Sequence, residues 1–248
     1  MAIVQLIGES CRDVYVYGSC PRLSPEAPVP VFIERERHVV PGMAGNVMMN
    51  LKALGVDCVL FTQDPDIVKL RFVEETRNHP LLRVDNDGRD IVPFDWVMDK
   101  TMPVAVADYN KGFIRTEDLA LPKPVPSFID TKRPLGAWAE TFDFIKINEH
   151  EFRANLPFIE ANRACMEEKL IVTLGGHGAM YKGEHFPISE ARVFDVTGAG
   201  DTFFAAFIAK YLKTQDAKQA IIFANECART VVMERGTSVV SSELALRV

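Results

Sequence analysis

The sequence lacks the features that would tie it to a membrane, to nucleic acid or to an oxidising compartment. No apolar run approaches the roughly 18 residues that a membrane-spanning helix needs. The formal net charge of −6 leaves no basic excess for nucleic acid or anionic lipid. The five cysteines are scattered and include no Cys-x-x-Cys pair, which excludes a disulfide scaffold and a zinc ribbon. Because the first residues also lack the basic leader of a signal peptide, we expect a cytoplasmic protein that acts on a small molecule.

What the sequence does contain is a regular alternation of short apolar runs with helical patterns. Short apolar runs predict buried strands, and longer patterns with a helical period predict helices. The predicted strands are Ile3–Ile7, Cys58–Thr62, Pro103–Ala107, Ser127–Asp130, Phe144–Ile147 and Lys169–Leu174, and the clearest predicted helices are Ala44–Leu54 and Thr202–Leu212. Strands separated by helices predict a doubly wound α/β core, with a mostly parallel sheet covered on both faces. We expect one domain over residues 1–248.

Three segments near the N-terminus break this alternation. The runs 28–37, 68–77 and 81–85 have strand propensity but carry interleaved charges, which is typical of an exposed small sheet. They predict a β appendage formed from about residues 14–40 and 68–86. The sequence leaves two interpretations open, a lid over a pocket and a surface hairpin without a function.

The strongest chemical signal is the segment before the predicted helix Thr202–Leu212. Gly198, Ala199 and Gly200 have little side-chain bulk, and the N–H groups at a helix start attract an anion. Asp201 beside such a site suits a base that takes a proton from an attacking hydroxyl, while the N–H groups stabilise a transferred phosphoryl group. The same residues also suit an ordinary helix cap after a turn. Taken alone, they leave the two interpretations equally open.

Two segments resemble the signatures of a known family. Residues 195–202 resemble the C-terminal signature of the ribokinase-like (PfkB) carbohydrate kinases, and residues 41–55 resemble the N-terminal glycine-rich signature of that family. Within the family the nearest likeness is to the kinase domain of bacterial heptose 7-phosphate kinase/adenylyltransferases, through residues 23–31, 69–71, 82–85, 108–112 and 129–132. The likenesses keep their order from Ile3 to about Leu244. The chain resembles a trimmed form, because the connection between Thr62 and Lys69 is very short.

The resemblance implies both a fold and an activity. The fold is a ribokinase-like three-layer α/β/α sandwich with a mostly parallel sheet and a small β lid, which also makes a homodimer contact. The activity is an ATP-dependent kinase that transfers the γ-phosphoryl group to a hydroxyl of a sugar or sugar phosphate, with a heptose 7-phosphate-like acceptor first. The alternatives are a kinase for another sugar or a nucleoside, and a non-catalytic relative that binds a sugar or nucleotide.

The resemblance also assigns residues to the phosphoryl-transfer end of the site. Asp201 is the catalytic base, and the anion hole consists of Gly198, Ala199 and Gly200. Glu151 helps to hold Mg²⁺ through water, and Asp195 and Thr197 lie where relatives bind an activating monovalent cation such as K⁺. The implied nucleotide-binding residues are Asn148, Glu151, Thr173, Gly175, Gly178 and Asn225.

At the acceptor end, the implied residues combine hydroxyl-binding groups with cations. Asn and Asp side chains suit sugar hydroxyls, and lysine or arginine suits a sugar phosphate. The implied acceptor-binding residues are Asp13, Gly42, Gly45, Asn46, Lys69, Arg71, Asp108, Lys111 and Lys132.

At the acceptor end, two residues depart from the pattern of the family that the chain resembles. Glu9 follows the first strand where the nearest relatives have aspartate, and Met43 stands where the family has a second glycine. A methionine there either folds into the core or fills part of the sugar pocket, and the sequence does not decide between these alternatives. We therefore expect a changed substrate preference rather than a loss of activity.

Overall fold

The computed structural model of the chain describes residues 3–64, 66–87, 90–95, 98–191, 193–234 and 239–246. The strands within these residues are β1 (Val4–Gly8), β2 (Ser10–Leu23), β3 (Pro30–Met43), β4 (Cys58–Phe61), β5 (Ile67–Glu74), β6 (His79–Asn86), β7 (Val104–Asp108), β8 (Ser127–Thr131), β9 (Phe144–Asn148), β10 (Leu170–Thr173), β11 (Ala179–Tyr181) and β12 (Glu184–Phe186). The α-helices are α1 (Ala44–Ala53), α2 (Thr116–Leu119), α3 (Glu149–Ala154), α4 (Leu156–Ala161), α5 (Arg163–Lys169), α6 (Ala199–Thr214), α7 (Ala217–Val231) and α8 (Ser242–Ala245). Two short 3-10 helices lie at Ala137–Thr141 and Gly175–His177.

The central sheet has eight strands in the order β12-β11-β10-β9-β8-β7-β1-β4. The strands β4, β1, β7, β8, β9 and β10 of this sheet are parallel, and β11 and β12 continue it antiparallel at one edge. Every core strand predicted from the apolar runs is present in this sheet. The sheet therefore brings the carboxyl ends of its parallel strands to one edge, where ligands bind in open α/β folds.

Alternating side chains of the parallel strands build two separate cores. Leu6 packs in a core with the apolar side chains of α1, α6 and α7, whereas its neighbour Ile7 packs in the core on the other face of the sheet. Phe128 and Ile129 of β8 divide between the two cores in the same way. This alternation follows from the period of two in a strand, and it gives the predicted three layers.

A second sheet has four strands in the order β3-β2-β5-β6. The charged segments that broke the alternation in the sequence form three of these strands. β4 ends at Phe61 and β5 begins at Ile67, so the two sheets are joined there by a very short connection. No helix among the described residues is long and apolar enough to cross a membrane.

Candidate active site

The predicted base lies in the first turn of α6. Gly198 precedes the helix with a φ of 84°, a left-handed conformation that glycine adopts without strain, and no side chain caps the helix. The N–H of Ala199 donates to the carbonyl oxygen of Val196 over 3.3 Å, and the uncapped N–H groups that follow it, at Gly200 and Asp201, suit an anion. Asp201 stands in the same turn, so the helix places a carboxylate beside an anion-binding surface.

Both carboxylate oxygens of Asp201 accept a hydrogen bond. The phenol hydroxyl of Tyr109 donates to Oδ1, and the side-chain amide of Asn46 donates to Oδ2 over 3.1 Å. Burial raises the pKa of Asp201; the bond from Tyr109 opposes this rise, the charge of Asp130 adds to it, and the net direction is upward. A carboxylate with a raised pKa is a better proton acceptor, which suits a general base.

A cavity of about 720 Å³ opens at the first turn of α6. This volume lies in the range of pockets that hold cofactors. The predicted residues that line it are Lys132, Asn148, Thr173, Gly175, Gly178, Ala199, Gly200 and Asn225. Gly178 has a φ of 90°, and a Cβ there would lie 2.1 Å from the carbonyl oxygen of Phe186, so this turn requires glycine. Five of the six sequence-predicted nucleotide residues, all except Glu151, thus line one cavity.

A chain of charged side chains links the cavity to the sheet. Asp130 accepts from Lys146 over 2.8 Å and from Lys132 over 3.3 Å, and Lys132 also contacts Glu151 over 3.0 Å. Burial alone would raise the pKa of Asp130, but the two lysines outweigh it, and the pKa is lowered. Burial would lower the pKa of Lys132, but Asp130 and Glu151 raise it. Lys132 is therefore held in its charged form at the cavity wall, and Lys146 is paired with Asp130 beside it.

Lys146 approaches the anion-binding turn of α6. A Cβ added to Gly200 would lie 3.0 Å from Nζ of Lys146, so the missing side chain makes room for this ammonium group. The cation and the helix N–H groups therefore face the same space, where a phosphoryl group would be stabilised.

Glu151 and Asn148 form a capping box at the start of α3. The amide oxygen of Asn148 accepts from the N–H of Glu151 over 2.9 Å, and Glu151 accepts from the N–H of Asn148 over 2.7 Å. Asn148 therefore both caps α3 and lines the cavity, whereas Glu151 reaches the cavity wall through its contact with Lys132.

The second sheet turns a polar face toward Asp201. The strand register places Asp13, Lys69 and Asp85 in one row and Tyr15, Arg71 and Arg83 in the next. Arg71 forms an ion pair with Asp13 and lies 5.1 Å from the ring centroid of Tyr15. Nζ of Lys69 lies 5.8 Å from the ring centroid of Tyr109, the residue that bonds to Asp201. Of the predicted acceptor-binding cations of this sheet, Lys69 therefore lies beside the hydrogen-bond partner of Asp201.

The two predicted glycines and Asn46 lie at the start of α1. A Cβ on Gly42 would lie 2.2 Å from Oδ2 of Asp13, and one on Gly45 would lie 3.1 Å from Cβ of Pro41. Gly42 thus leaves room for the carboxylate of Asp13. Asn46 reaches across to α6, because it bonds to Asp201.

Other predicted residues stand apart from this group. Asp108 is fully buried, and Arg133 donates to both of its oxygens, over 2.6 and 2.9 Å. Lys111 contacts Asp87 over 2.9 Å. Asp195 accepts from the N–H of Thr197 over 2.8 Å in the loop before α6, where a monovalent cation would find one carboxylate.

Met43 folds into the interior. Its side chain is 3% exposed and packs with Cys11 and Ile67, in a small cluster that also includes Tyr109. Its φ is 57°, a conformation that side chains other than glycine rarely adopt. Of the two alternatives left open by the sequence, the structure has the buried one.

Sequence reasoning assigned no role to three residues that build this site, Lys146, Tyr109 and Glu9, although it noted Glu9 as a departure from the family pattern. Lys146 is a charged residue in the middle of an apolar strand, which signals a buried partner. Tyr109 lies inside a recognised segment without an assigned role. Glu9 is fully buried, and its carboxylate accepts backbone N–H groups from the loop after β7.

Comparison with known proteins identifies the class to which this fold and site belong. Residues 105–244 match the family described as pfkB family carbohydrate kinase. The bifunctional protein HldE of Vibrio parahaemolyticus is 30% identical, over 98% of this chain and 62% of that protein. The ribokinase of Thermotoga maritima has a TM-score of 0.75 at 17% identity, covering 100% of this chain and 99% of that one. The Arabidopsis thaliana ribokinase, solved with ribose and ATP, has a TM-score of 0.70 at 16% identity, covering 99% and 98%.

The chain belongs to the pfkB family of carbohydrate kinases, because the family match covers more than half of its length. The predicted ribokinase-like fold and the predicted class of enzyme, a sugar kinase, are confirmed. The chain spans 62% of the length of the HldE protein that it matches, so the activity of that whole protein is not carried over to it.

Proposed function

We propose that this carbohydrate kinase transfers the γ-phosphoryl group of ATP to a hydroxyl of a sugar that already carries a phosphate, with heptose 7-phosphate as the first candidate. The observation that carries the proposal is the position of Asp201. The first turn of α6, which carries Asp201, adjoins the cavity that Lys146 lines. Tyr109, which donates a hydrogen bond to Asp201, lies beside Lys69 of the second sheet. The base therefore lies between a nucleotide-sized cavity and a cationic face.

The cavity suits ATP in size and in chemistry. Apolar side chains in the lining, including Leu174, Val196 and Val232, offer a surface for the adenine ring. Lys146, Lys132 and the N-terminus of α6 also line the cavity and offer positive charge to the phosphates.

The cationic face suits an acceptor with its own phosphate. Within the described residues Lys69 has no ion pair, whereas Arg71 is held by Asp13. Lys69 stands between Asp13 and Asp85 in the strand register, and an ammonium group that no direct ion pair holds favours an anionic ligand. Heptose 7-phosphate comes first because the segments around Lys69, Asp108 and Lys132 resemble the heptose 7-phosphate kinase subgroup.

The transfer needs one proton acceptor and a positive surface. Asp201 takes the proton of the acceptor hydroxyl. The hydroxyl oxygen of the acceptor then bonds to the γ-phosphorus of ATP, while the bond between that phosphorus and the oxygen of ADP breaks. The N–H groups at the start of α6 and the ammonium group of Lys146 offset the charge on the transferred group.

Mg²⁺ and a monovalent cation complete the proposed site. Among the described residues, no group of three acidic, histidine or cysteine side chains could hold a metal. This fits Mg²⁺, which is commonly held by substrate phosphates and its own waters, with Glu151 reached through water. The ion neutralises phosphate charge when it is bound. Asp195 and Thr197 remain the proposed position for K⁺.

The test of this function is an ADP-release screen with Mg²⁺ and ATP. The panel holds sugar phosphates, the matching free sugars and nucleosides, and Asp201→Asn is the inactive control. We expect ADP release with a sugar phosphate. Release with a free sugar or a nucleoside alone would assign a different acceptor. No release with any member, together with nucleotide binding, would favour a non-catalytic binding protein.

We also propose that the apolar face of the second sheet forms a homodimer contact. The rows that alternate with the polar ones contain Val39, Leu82 and Val84, whose exposed fractions are 54%, 58% and 46%. A small sheet with an uncovered apolar face gains stability from a partner. Sedimentation at micromolar concentration should give a dimer, and a monomer alone would contradict the contact.

A further inference from the structure

Tyr109, in the loop after β7, has no assigned role in the proposed reaction, although its hydroxyl touches the base. We propose that Tyr109 is a positioning residue that fixes the carboxylate of Asp201 in its reactive orientation. This inference rests on the proposed function of Asp201 as the base. It is carried by the hydrogen bonds of Asp201 and by the contacts that hold the ring of Tyr109.

The two donors on Asp201 approach different oxygens. Tyr109 donates to Oδ1, and Asn46 donates to Oδ2 over 3.1 Å. Asn46 is itself fixed, because its amide oxygen accepts from Asn50 over 3.0 Å. A carboxylate with a donor on each oxygen cannot rotate freely, yet each oxygen keeps a lone pair. The remaining lone pairs can accept the proton of a substrate hydroxyl.

Glu9 fixes the backbone of the loop that carries Tyr109. Its carboxylate accepts the N–H groups of Tyr109 over 2.8 Å, Lys111 over 3.1 Å and Phe113 over 3.3 Å. Glu9 is 0% exposed, so these bonds are shielded from water. The side chain of Glu9 thus spans from the end of β1 to this loop.

The ring of Tyr109 is held from several directions. Met43 packs beside it in the cluster with Cys11 and Ile67. The ammonium groups of Lys69 and Lys132 lie 5.8 and 5.9 Å from the ring centroid. The positive φ of Met43 is tolerated only where the surrounding structure enforces it, and such strain concentrates at functional sites. These contacts leave the hydroxyl little freedom except toward Asp201.

The hydroxyl of Tyr109 also affects the charge state of the base. Burial raises the pKa of Asp201, and a donor to the carboxylate lowers it, so removal of the hydroxyl raises it further. Asp201 must be deprotonated to act. As the pH falls, a protein without the Tyr109 hydroxyl should therefore lose activity at a higher pH than the wild type does. The other titratable groups that act on Asp201 come from β2, from β8 and the residue after it, and from β9: they are Cys11, Asp130, Lys132 and Lys146.

The first test uses Tyr109→Phe, which removes only the hydroxyl, in the full chain. We expect kcat to fall about tenfold or more, because a hydrogen bond to a charged group is lost, with nucleotide affinity unchanged. The acid limb of the kcat profile should move to higher pH. Tyr181→Phe is the matched control, since its hydroxyl bonds to the carbonyl oxygen of Glu168 far from the base. A kcat within twofold of the wild type and an unmoved acid limb would overturn the proposal.

The second test does not depend on turnover. Carbon-13 NMR of the aspartate carboxyl groups follows the titration of Asp201, identified by its absence in Asp201→Asn. We expect a higher titration midpoint in Tyr109→Phe and a lower one when a fluorotyrosine, a stronger donor, replaces Tyr109. An unchanged midpoint in both variants would overturn the proposal. A shifted midpoint in a protein that phosphorylates no acceptor would refute the proposed function alone.

Discussion

The proposed nucleotide cavity and the second sheet are built in opposite ways. At the cavity the cations Lys146 and Lys132 are neutralised by Asp130 and Glu151; Lys146 lies in β9 of the central sheet, and Lys132 directly follows β8. At the second sheet Lys69 has no ion pair among the described residues, and the adjoining Met43 has a positive φ. The comparison indicates that the central sheet holds the residues of the proposed phosphoryl transfer in place, whereas the second sheet is the part that can vary with the acceptor.

The largest effect should come from Asp201, where the two regions meet. Asp201→Asn keeps the shape of the side chain but cannot take a proton, so kcat should fall by ~10²–10⁴-fold. The nucleotide cavity should be unaffected, and calorimetry should give the wild-type affinity for ATP. Near wild-type turnover would contradict the assignment of the base.

Lys69 provides the corresponding test in the second sheet. Lys69→Ala removes a cation that faces the base, so KM for a sugar phosphate should rise by about tenfold or more, since a charge-assisted bond is lost. KM for ATP and for a free sugar should not change. Lys218→Ala, which removes a lysine paired with Glu184 at the far edge, is the control. Equal losses with phosphorylated and free sugars would remove the proposed phosphate contact.

Glu151 tests the nucleotide side. Glu151→Gln replaces the carboxylate that contacts Lys132 and caps α3 by a neutral amide. Because the negative charge that would attract Mg²⁺ is lost, a higher Mg²⁺ concentration should be needed for the half-maximal rate. The rate at saturating Mg²⁺ should change less than in Asp201→Asn. Initial rates across a Mg²⁺ titration measure this, and full activity in excess chelator would refute a role for the ion.

Met43 should have the smallest effect. Met43→Gly relieves the positive φ but removes a buried side chain, and these terms leave a net loss of about 1 kcal/mol in the free energy of unfolding. The melting temperature should fall by ~2–4 °C. Large and small acceptors should be affected equally, because the side chain is buried. A selective gain for heptose 7-phosphate would place the side chain in the sugar pocket instead.

Local patterns predicted most of the scaffold. The apolar runs identified the parallel strands because burial on both faces leaves a continuous hydrophobic signal. The glycine-rich segment before Asp201 identified the turn of α6 because its chemistry is contiguous in sequence. The small sheet was also visible, since its charges interrupt apolar runs.

Contacts between distant segments were not predictable in this way. The bond between Tyr109 and Asp201 joins residues 92 positions apart, and nothing in either segment specifies it. Asp108 was assigned to the acceptor, but Arg133 engages both of its oxygens in the interior. The buried position of Met43 likewise depends on β2 and β5 packing around it. These features follow from tertiary packing, which a single sequence does not encode in any local pattern.

The most direct test of the two-region account compares one heptose with and without its 7-phosphate. Initial rates of ADP release by the wild-type protein are measured for both acceptors, at saturating ATP and Mg²⁺. The account predicts a kcat/KM at least about tenfold higher for the phosphorylated acceptor, as expected when a charged partner is matched. Equal values, or a preference for the free heptose, would contradict it.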